Sequence, residues 1–468
     1  MVNPSIFKSY DIRGIYPSEL NEEAAFDIGR SFINYTGAKS VVLGRDARIS
    51  SPALSIALAR GVLAEGGKVY DIGQAPTECL YFATGSRDFD GGIMITASHN
   101  PKEYNGFKML KKGSAGLNVV RGKDMLSAVE QLEPAKDSAE EKEVSKEDIW
   151  KDFVNHILSF VDLSEIVPLK IVVDASNGVA GLVVSKIQES LPVEIVALNF
   201  EPNGNFPNHS PNPLEPGSAD KIGETVKNEK ADFGVIFDGD ADRIFLVDEN
   251  GKLVRADATL LLLAKYFLEK NPGMAVAYNA ICSKAVPEFI GKWGGKPVRT
   301  KVGFVNVREC LLKNNGIMGG ELSGHYCFKD NFYMDSGMIS FLILLQVISK
   351  DGRNVSEIIK ELVPYPKSPE LNFEVEDSIR NPSASNGASK DAKQIILEKI
   401  KEKYADPSTS LGVGGKADFL DGITVTYKDW WFNVRPSNTE PLLRLTIEAD
   451  TQELLEEKQK ELKGAIIE

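Results

Sequence analysis

Ser98 directly follows the apolar run from Gly91 to Ala97 and is itself followed by His99, Asn100 and Pro101. A hydroxyl at the end of a buried strand is a place for a nucleophile, but serine is a weak one unless it is activated or modified. A phosphorylated serine carries about −1.5 to −2 charges and has a phosphoryl group to donate. Asn-Pro also initiates turns, so a structural turn accounts for these residues when they are taken alone. A hydrolase is the poorer reading, because the G-x-S-x-G elbow occurs nowhere in the chain. Lys108, ten residues on, either reaches an anion beside Ser98 or is a solvated charge.

Asp238, Asp240 and Asp242 alternate directly after the strand-like run Gly234 to Phe237. An extended backbone would put all three carboxylates on one side. At about 4 Å and an effective dielectric near 20, each like-charged pair costs roughly 4 kcal/mol, so a bound divalent cation resolves the repulsion. Ligands that are all oxygen favour Mg²⁺. A calcium EF-hand is disfavoured because Arg243 stands where that loop needs glycine and strands, not helices, flank it. An acidic turn in solvent and an aspartyl-phosphate phosphatase remain as alternatives, the latter with Asp242 where D-x-D-x-T/V has Thr or Val. Arg243 either balances these acids or holds a substrate phosphate.

Two further loops carry binding groups. In Gly319 to His325, Glu321 and Ser323 fall on one face and suit vicinal sugar hydroxyls, although a glycine-rich turn explains the motif equally simply. In Arg435 to Pro441, a guanidinium accompanies Ser437, Asn438 and Thr439, which is the composition of a phosphate cradle or of a plain turn.

These loops need strands to hold them. The segments KSVVLGRDARISSP, LKIVVDASNGVAG and GMAVAYNAICSKAVPE each read as strand, polar turn and helix. Each is followed by a second glycine-led strand and loop: GGIMITASHNP, DFGVIFDGDADR and NGIMGGELSGHY. This internal triplication predicts three α/β domains with mixed, largely parallel sheets, whose ligand loops lie at the carboxyl ends of the strands. The alternating strands GITVTYKDWWFNVRP and LLRLTIEA predict a smaller α+β carboxyl-terminal domain. Charge and apolar patterning place the domains at 1–148, 149–252, 253–366 and 367–468, with the charged run from Glu133 to Asp148 as a linker or exposed helix.

With 468 residues, 42% hydrophobic and 26% charged, the chain has the composition of a multidomain globular protein and not of a disordered one. A net charge of −13 argues against a nucleic-acid or anionic-membrane surface, so an anionic substrate must meet local positive charge. The apolar runs Ala258 to Ala264 and Met338 to Ile348 fall short of the roughly 20 residues that span a bilayer and read as core helices. No secretory leader is recognisable at the amino terminus. The four cysteines lack C-x-x-C spacing. Together these features point to a reducing, cytoplasmic setting.

SYDIRG, TASHNPKEYNGFK, DGDADR, GELSGH and RPSNTEP stand in this order between residues 9 and 441, and the set resembles the α-D-phosphohexomutase family. The resemblance is nearest to its phosphomannomutase/phosphoglucomutase branch. It implies four domains around a central cleft, and reversible conversion of hexose 1-phosphate to hexose 6-phosphate through a phosphoserine and a hexose 1,6-bisphosphate, which also serves as activator. It further implies Ser98 as phosphoryl donor, its phosphate joining Asp238, Asp240 and Asp242 around Mg²⁺. Arg13, Lys108 and His99 would stand at the transferring group. Arg243, Lys301, Glu321, Ser323, His325, Arg435, Ser437, Asn438 and Thr439 would bind substrate. The expected partner is a small phosphosugar, with neither nucleic acid nor membrane, in a monomer or homodimer. The chain departs from the branch at Val302-Gly303-Phe304, where many members carry Thr-Gly-His. Mannose, glucose and glucosamine preference is thereby left open, and so are a metal-dependent phosphatase with Asp238 as nucleophile and a non-catalytic sugar-phosphate binder.

Overall fold

The computed structural model describes residues 2–114, 116–133, 143–375, 392–404, 415–437 and 442–467. The threefold pattern becomes three sheets of the same topology. In each, the first strand of the repeat, Ser40–Arg45, Leu169–Asp174 or Ala275–Asn279, is central. The second strand, Gly91–Ile95, Phe233–Phe237 or Met318–Gly320, pairs with it in parallel. A third strand, Lys68–Gln74, Val193–Leu198 or Lys296–Thr300, lies parallel on its other side. The chain then returns antiparallel beside the second strand through Tyr104–Gly113, Ile244–Val247 or Tyr326–Phe328. The turn into that return strand is therefore the same place in all three sheets. It carries Ser98 in the first, Asp238 to Asp242 in the second and Glu321 to His325 in the third.

The second strands form because they are buried on both faces, as their unbroken apolar character requires. The two apolar runs are helices, Ala256–Lys270 and Gly337–Asp351, each covered nearly all round. A helix apolar on every face must lie within the core. Ser336 caps the latter by accepting a hydrogen bond from Ile339 N at 2.9 Å, and Gly352 ends it with φ +73°. No helix among the described residues is long and apolar enough to cross a membrane. All four cysteines are buried thiols.

The carboxyl-terminal part is a five-stranded antiparallel sheet in the order Leu371–Glu374, Leu442–Ala449, Trp430–Pro436, Ile423–Thr426 and Lys416–Asp418. Helices Ala392–Tyr404 and Gln452–Ile467 pack on it. Of the charged run expected as linker or helix, 134–142 lie outside the described residues, and Ser145–Lys146 forms a short parallel strand on the first sheet.

One titration is built into the second sheet. His209 Nε2 lies 3.1 Å from Asp174 Oδ2 and 3.3 Å from Asn199 Nδ2, and its Nδ1 lies 2.8 Å from Ser210 O, so each ring nitrogen faces an acceptor, an arrangement that favours the imidazolium. Burial opposes the charge, but the bond to Asp174 outweighs it and raises the histidine above its ordinary value. A raised folded-state value stabilises the protein below the unfolded pKa, about 6.5, and the contribution disappears as pH rises through the folded value. Thermal denaturation of the parent should therefore show a melting temperature that declines above pH 6.5. His209→Gln should flatten that dependence, and an unchanged slope in the variant would contradict the assignment.

Candidate active site

The serine and aspartate loops meet at hydrogen-bonding distance. Ser98 is fully buried at φ +50°, a left-handed conformation uncommon outside glycine. Its Oγ donates to Asp238 Oδ2 at 2.8 Å and lies 3.3 Å from His99 Nδ1. Strand Tyr104–Gly113 delivers Lys108, whose ammonium donates to Asp240 Oδ2 at 2.7 Å and also to Asp242 Oδ2. Asp240 Oδ2 further accepts from Thr77 Oγ1 at 2.6 Å and Thr96 Oγ1 at 3.2 Å.

The three carboxylates converge, but not along an extended strand as expected. Residues 238–242 form a turn in which Ala241 N bonds Asp238 O at 3.2 Å and Ala241 takes φ +64°. A turn brings alternate side chains closer than a pleat would, and one carboxylate oxygen from each acid lies within 4.8 Å of the others. Close approach of the loops also requires Gly239, because a Cβ there would stand 2.7 Å from Ser98 O.

Charge is divided unevenly in this cluster. Burial, then repulsion from Asp240 and Asp242, pushes Asp238 up to about 8. Burial acts on Asp240 in the same sense, but Lys108, Thr77 and Arg13 outweigh it and leave that carboxyl below its ordinary range. Burial disfavours the Lys108 ammonium, yet Asp240 and Asp242 hold it charged. Burial and the cations Arg243 and Arg13 depress His99 well below its ordinary value, so its imidazole is neutral.

Asp240 Oδ1 and Asp242 Oδ1 are buried and accept no hydrogen bond. Such atoms are costly unless a ligand satisfies them. With Asp238 and the serine hydroxyl they make a hard, all-oxygen donor set of the kind Mg²⁺ takes. The residues present therefore fit a divalent cation.

Around this centre, Arg13 donates to Asp11 Oδ2 at 2.8 Å, Asn100 Oδ1 at 2.5 Å and Ala97 O at 3.3 Å. Arg243 Nε is 3.7 Å from Asp238 Oδ2 and is buried without a hydrogen-bond partner. His325 Nδ1 sits 2.5 Å from Asp335 Oδ2 and 3.7 Å from Asp242 Oδ1, which ties the third loop to the second. Burial and Arg243 lower His325, but Asp242 and Asp335 prevail and raise it.

Glu321 and Ser323 do share one face, with Ser323 Oγ donating to Glu321 Oε1 and Gly303 N donating to Oε2 at 2.8 Å. The departing residue, Phe304, lays its ring against His325 at 5.4 Å between centroids. Asn306 donates to Tyr10 Oη at 3.1 Å, so the first domain's SYDIRG segment reaches the first turn of the third domain's helix Phe304–Asn314. Lys301 is exposed, while its neighbour Val302 donates to Asp421 Oδ2 of the fourth domain at 2.9 Å. Arg435 stands apart on strand Trp430–Pro436, bound to Glu370 Oε1 at 2.6 Å. Ser437 follows it and donates its backbone N–H to Leu442 O at 2.9 Å. Asn438 and Thr439 lie outside the described residues.

The sequence reading missed Thr77, Thr96, Asp335 and Arg48. Arg48 lies in the loop after strand Ser40–Arg45, and Thr77 opens the helix Thr77–Ser86 that follows strand Lys68–Gln74, so both stand at the carboxyl ends of strands, where ligand loops gather. Asp335 had no local signal, because it reaches His325 only through the fold.

Three like α/β units with their second loops gathered on a buried serine, a lysine and three acids define a multidomain phosphoryl-handling enzyme. Models of the phosphoglucomutase/phosphomannomutase family match throughout: α/β/α domain I at residues 4–131, domain II at 151–251, domain III at 255–365 and the C-terminal domain at 370–465. The chain is 38% identical over 446 residues to phosphohexose mutases of Xanthomonas campestris, covering 94% of each. It is 35% identical over 452 residues to the Escherichia coli phosphomannomutase, covering 95% of this chain and 94% of that one. A crystal structure of a Burkholderia thailandensis phosphoglucomutase/phosphomannomutase family protein superposes with a TM-score of 0.84 at 30% identity, covering 100% of this chain and 98% of the other. This chain belongs to that family of phosphohexose mutases, which are intramolecular phosphotransferases.

Proposed function

We propose that this enzyme interconverts hexose 1-phosphate and hexose 6-phosphate, of mannose, glucose or both, in the cytoplasm. The route is a phosphoserine at Ser98 and a bisphosphorylated sugar that is retained and reoriented. The observation that carries the reading is the 2.8 Å contact between Ser98 Oγ and Asp238, beside a lysine shared by the other two acids. Phosphoryl transfer needs little covalent chemistry from a protein, so alignment and neutralisation of the phosphoryl oxygens supply most of the rate.

Ser98 with Asp238, Asp240 and Asp242 would hold Mg²⁺. When bound, the ion supplies positive charge against the transferring phosphoryl oxygens. Lys108 and Arg13 add fixed cations on the same centre, and burial strengthens them by excluding water. His99, neutral beside the serine oxygen, accepts or donates a hydrogen bond there without adding charge. Arg243, with a buried unpaired Nε, has a donor free for a phosphate oxygen.

Glu321 and Ser323 bind sugar hydroxyls and so present either end of the sugar to the same serine. His325 and Lys301 flank them. Arg435 and Ser437, with Asn438 and Thr439, hold the phosphate that is not reacting. Hexose 1,6-bisphosphate primes the serine in an enzyme that has lost its phosphoryl group.

The test combines intact mass and peptide mapping with coupled assays on mannose, glucose and N-acetylglucosamine 1-phosphates. A single stable phosphoryl on Ser98, with turnover of the first or second sugar, is expected. Inertness toward every hexose phosphate after priming with glucose 1,6-bisphosphate overturns the proposal. Glu321→Ala should raise KM by about 10- to 100-fold while lowering kcat less, since hydrogen bonds to a charged acceptor contribute roughly 1.5–3 kcal/mol. Unchanged KM in initial-rate assays would remove Glu321 from the sugar site.

A further inference from the structure

Arg48 is 1% exposed, and its guanidinium is spent almost entirely on the serine loop. Nη2 donates to Ser98 O at 2.9 Å and Asn100 O at 2.6 Å, and Nη1 donates to Pro101 O at 2.6 Å and Tyr104 O at 2.9 Å. Nε pairs with Asp46 Oδ2 at 3.1 Å, and Asp46 is fixed in turn by Ser51 Oγ at 2.7 Å and Arg48 N at 3.0 Å. These carbonyls belong to residues 98–104, between strands Gly91–Ile95 and Tyr104–Gly113, so most have no sheet partner to satisfy them.

The arrangement closes into a ring of contacts. Ser98 O is held by Arg48 on one side and approached by Gly239 of the aspartate loop on the other. Gly239 also adjoins the Phe206 ring, 3.6 Å from where its Cβ would stand, and the Arg48 guanidinium lies 5.3 Å from the centroid of that same ring. One planar cation thus sets both the shape of the serine loop and its register on the second domain. Lysine cannot reproduce this, because its ammonium lacks the planar fork of donors.

We infer that Arg48 is a positioning residue for phosphoryl transfer: it holds Ser98 in its left-handed conformation, with the hydroxyl aimed at Asp238. The inference rests on the mutase reading for its kinetic consequences, and on the geometry alone for its structural ones. Arg48 touches neither the reacting oxygen nor the acids directly, so its effect must appear in the serine loop and in kcat. The sugar loops lie on other domains and should be spared.

The experiment uses the full chain with Arg48→Lys and Arg48→Met, and with Phe206→Leu as a milder variant that removes the aromatic ring against which the guanidinium is held. Three quantities are read: kcat and KM per folded molecule, phosphoryl incorporation at Ser98 after priming with glucose 1,6-bisphosphate, and amide hydrogen exchange across residues 97–104. Both Arg48 variants should lose about 100-fold or more in kcat with KM within about threefold, and exchange should rise at least tenfold in that loop alone. Methylguanidine at millimolar concentration should recover part of the Arg48→Met rate, and Phe206→Leu should lose about three- to tenfold. Parent-like kcat per folded molecule, or loop exchange no faster than in the parent, overturns the inference. If neither Arg48 variant folds, Phe206→Leu with parent-like kcat and loop exchange overturns it. An inert parent would refute the mutase reading instead, and the loop exchange would still decide the role of Arg48.

Discussion

Ser98→Ala should abolish mutase turnover, with kcat falling by at least about 10⁴-fold, and should leave the protein unable to take up a phosphoryl group. The expectation follows from chemistry, because alanine has no oxygen on which the phosphoryl can rest, and no neighbouring hydroxyl occupies its place. Thr96 Oγ1 is nearby but is engaged with Asp240 Oδ2 and with Ser98 N. The fold should survive. The substitution keeps a Cβ at φ +50°, so it adds no backbone strain, and it removes one hydrogen bond to Asp238, a change of about 1 kcal/mol. Intact mass after priming and a coupled assay check the two halves independently. Residual turnover within tenfold of the parent would falsify Ser98 as donor whatever its effect on stability.

Asp240→Asn is the second large effect, and its interest lies in separating activity from stability. The neutral amide removes one partner of Lys108, and breaking a buried ion pair ordinarily costs about 3–5 kcal/mol. Here Asp242 still pairs with Lys108, and the repulsion that Asp240 exerts on Asp238 is relieved. The amide oxygen can still accept from Thr77 and Thr96. The two electrostatic changes oppose each other, so the melting temperature should move by only a few degrees. Turnover should nevertheless fall about 10³-fold, of the order seen when one preorganised electrostatic group is lost from an active site. Mg²⁺ affinity, followed by isothermal titration on the unphosphorylated protein, should weaken in parallel. Full activity with unaltered Mg²⁺ binding would show that Asp240 serves only to anchor Lys108.

The sequence by itself determined the repeat and hence the fold. A strand buried on both faces must be apolar throughout, and a turn must be polar, so the alternation of the two is written locally three times over. The residues that carry charge or a hydroxyl at those turns were legible for the same reason: Ser98, the three aspartates, Glu321 and Ser323 all lie where a strand ends, and Lys108 lies on the return strand that follows Ser98. Even so, the alternation of the aspartates implies an extended face, whereas Ala241 in a left-handed turn is what gathers them. Backbone conformation of that kind depends on what the loop packs against, here the serine loop beside Gly239.

Only the tertiary structure decided which groups share one electrostatic environment. Asp238 is held above its ordinary range and Asp240 below it, although the two are chemically identical and separated by a single glycine, because Lys108 from a different domain reaches Asp240 and Asp242. Asp335 meets His325, Arg48 secures the serine loop, and Glu370 occupies Arg435. Each of these pairings joins residues with no periodic or motif relation in the chain. Coulomb and hydrogen-bond energies depend on separation in space and on burial, and neither quantity exists until the domains are assembled.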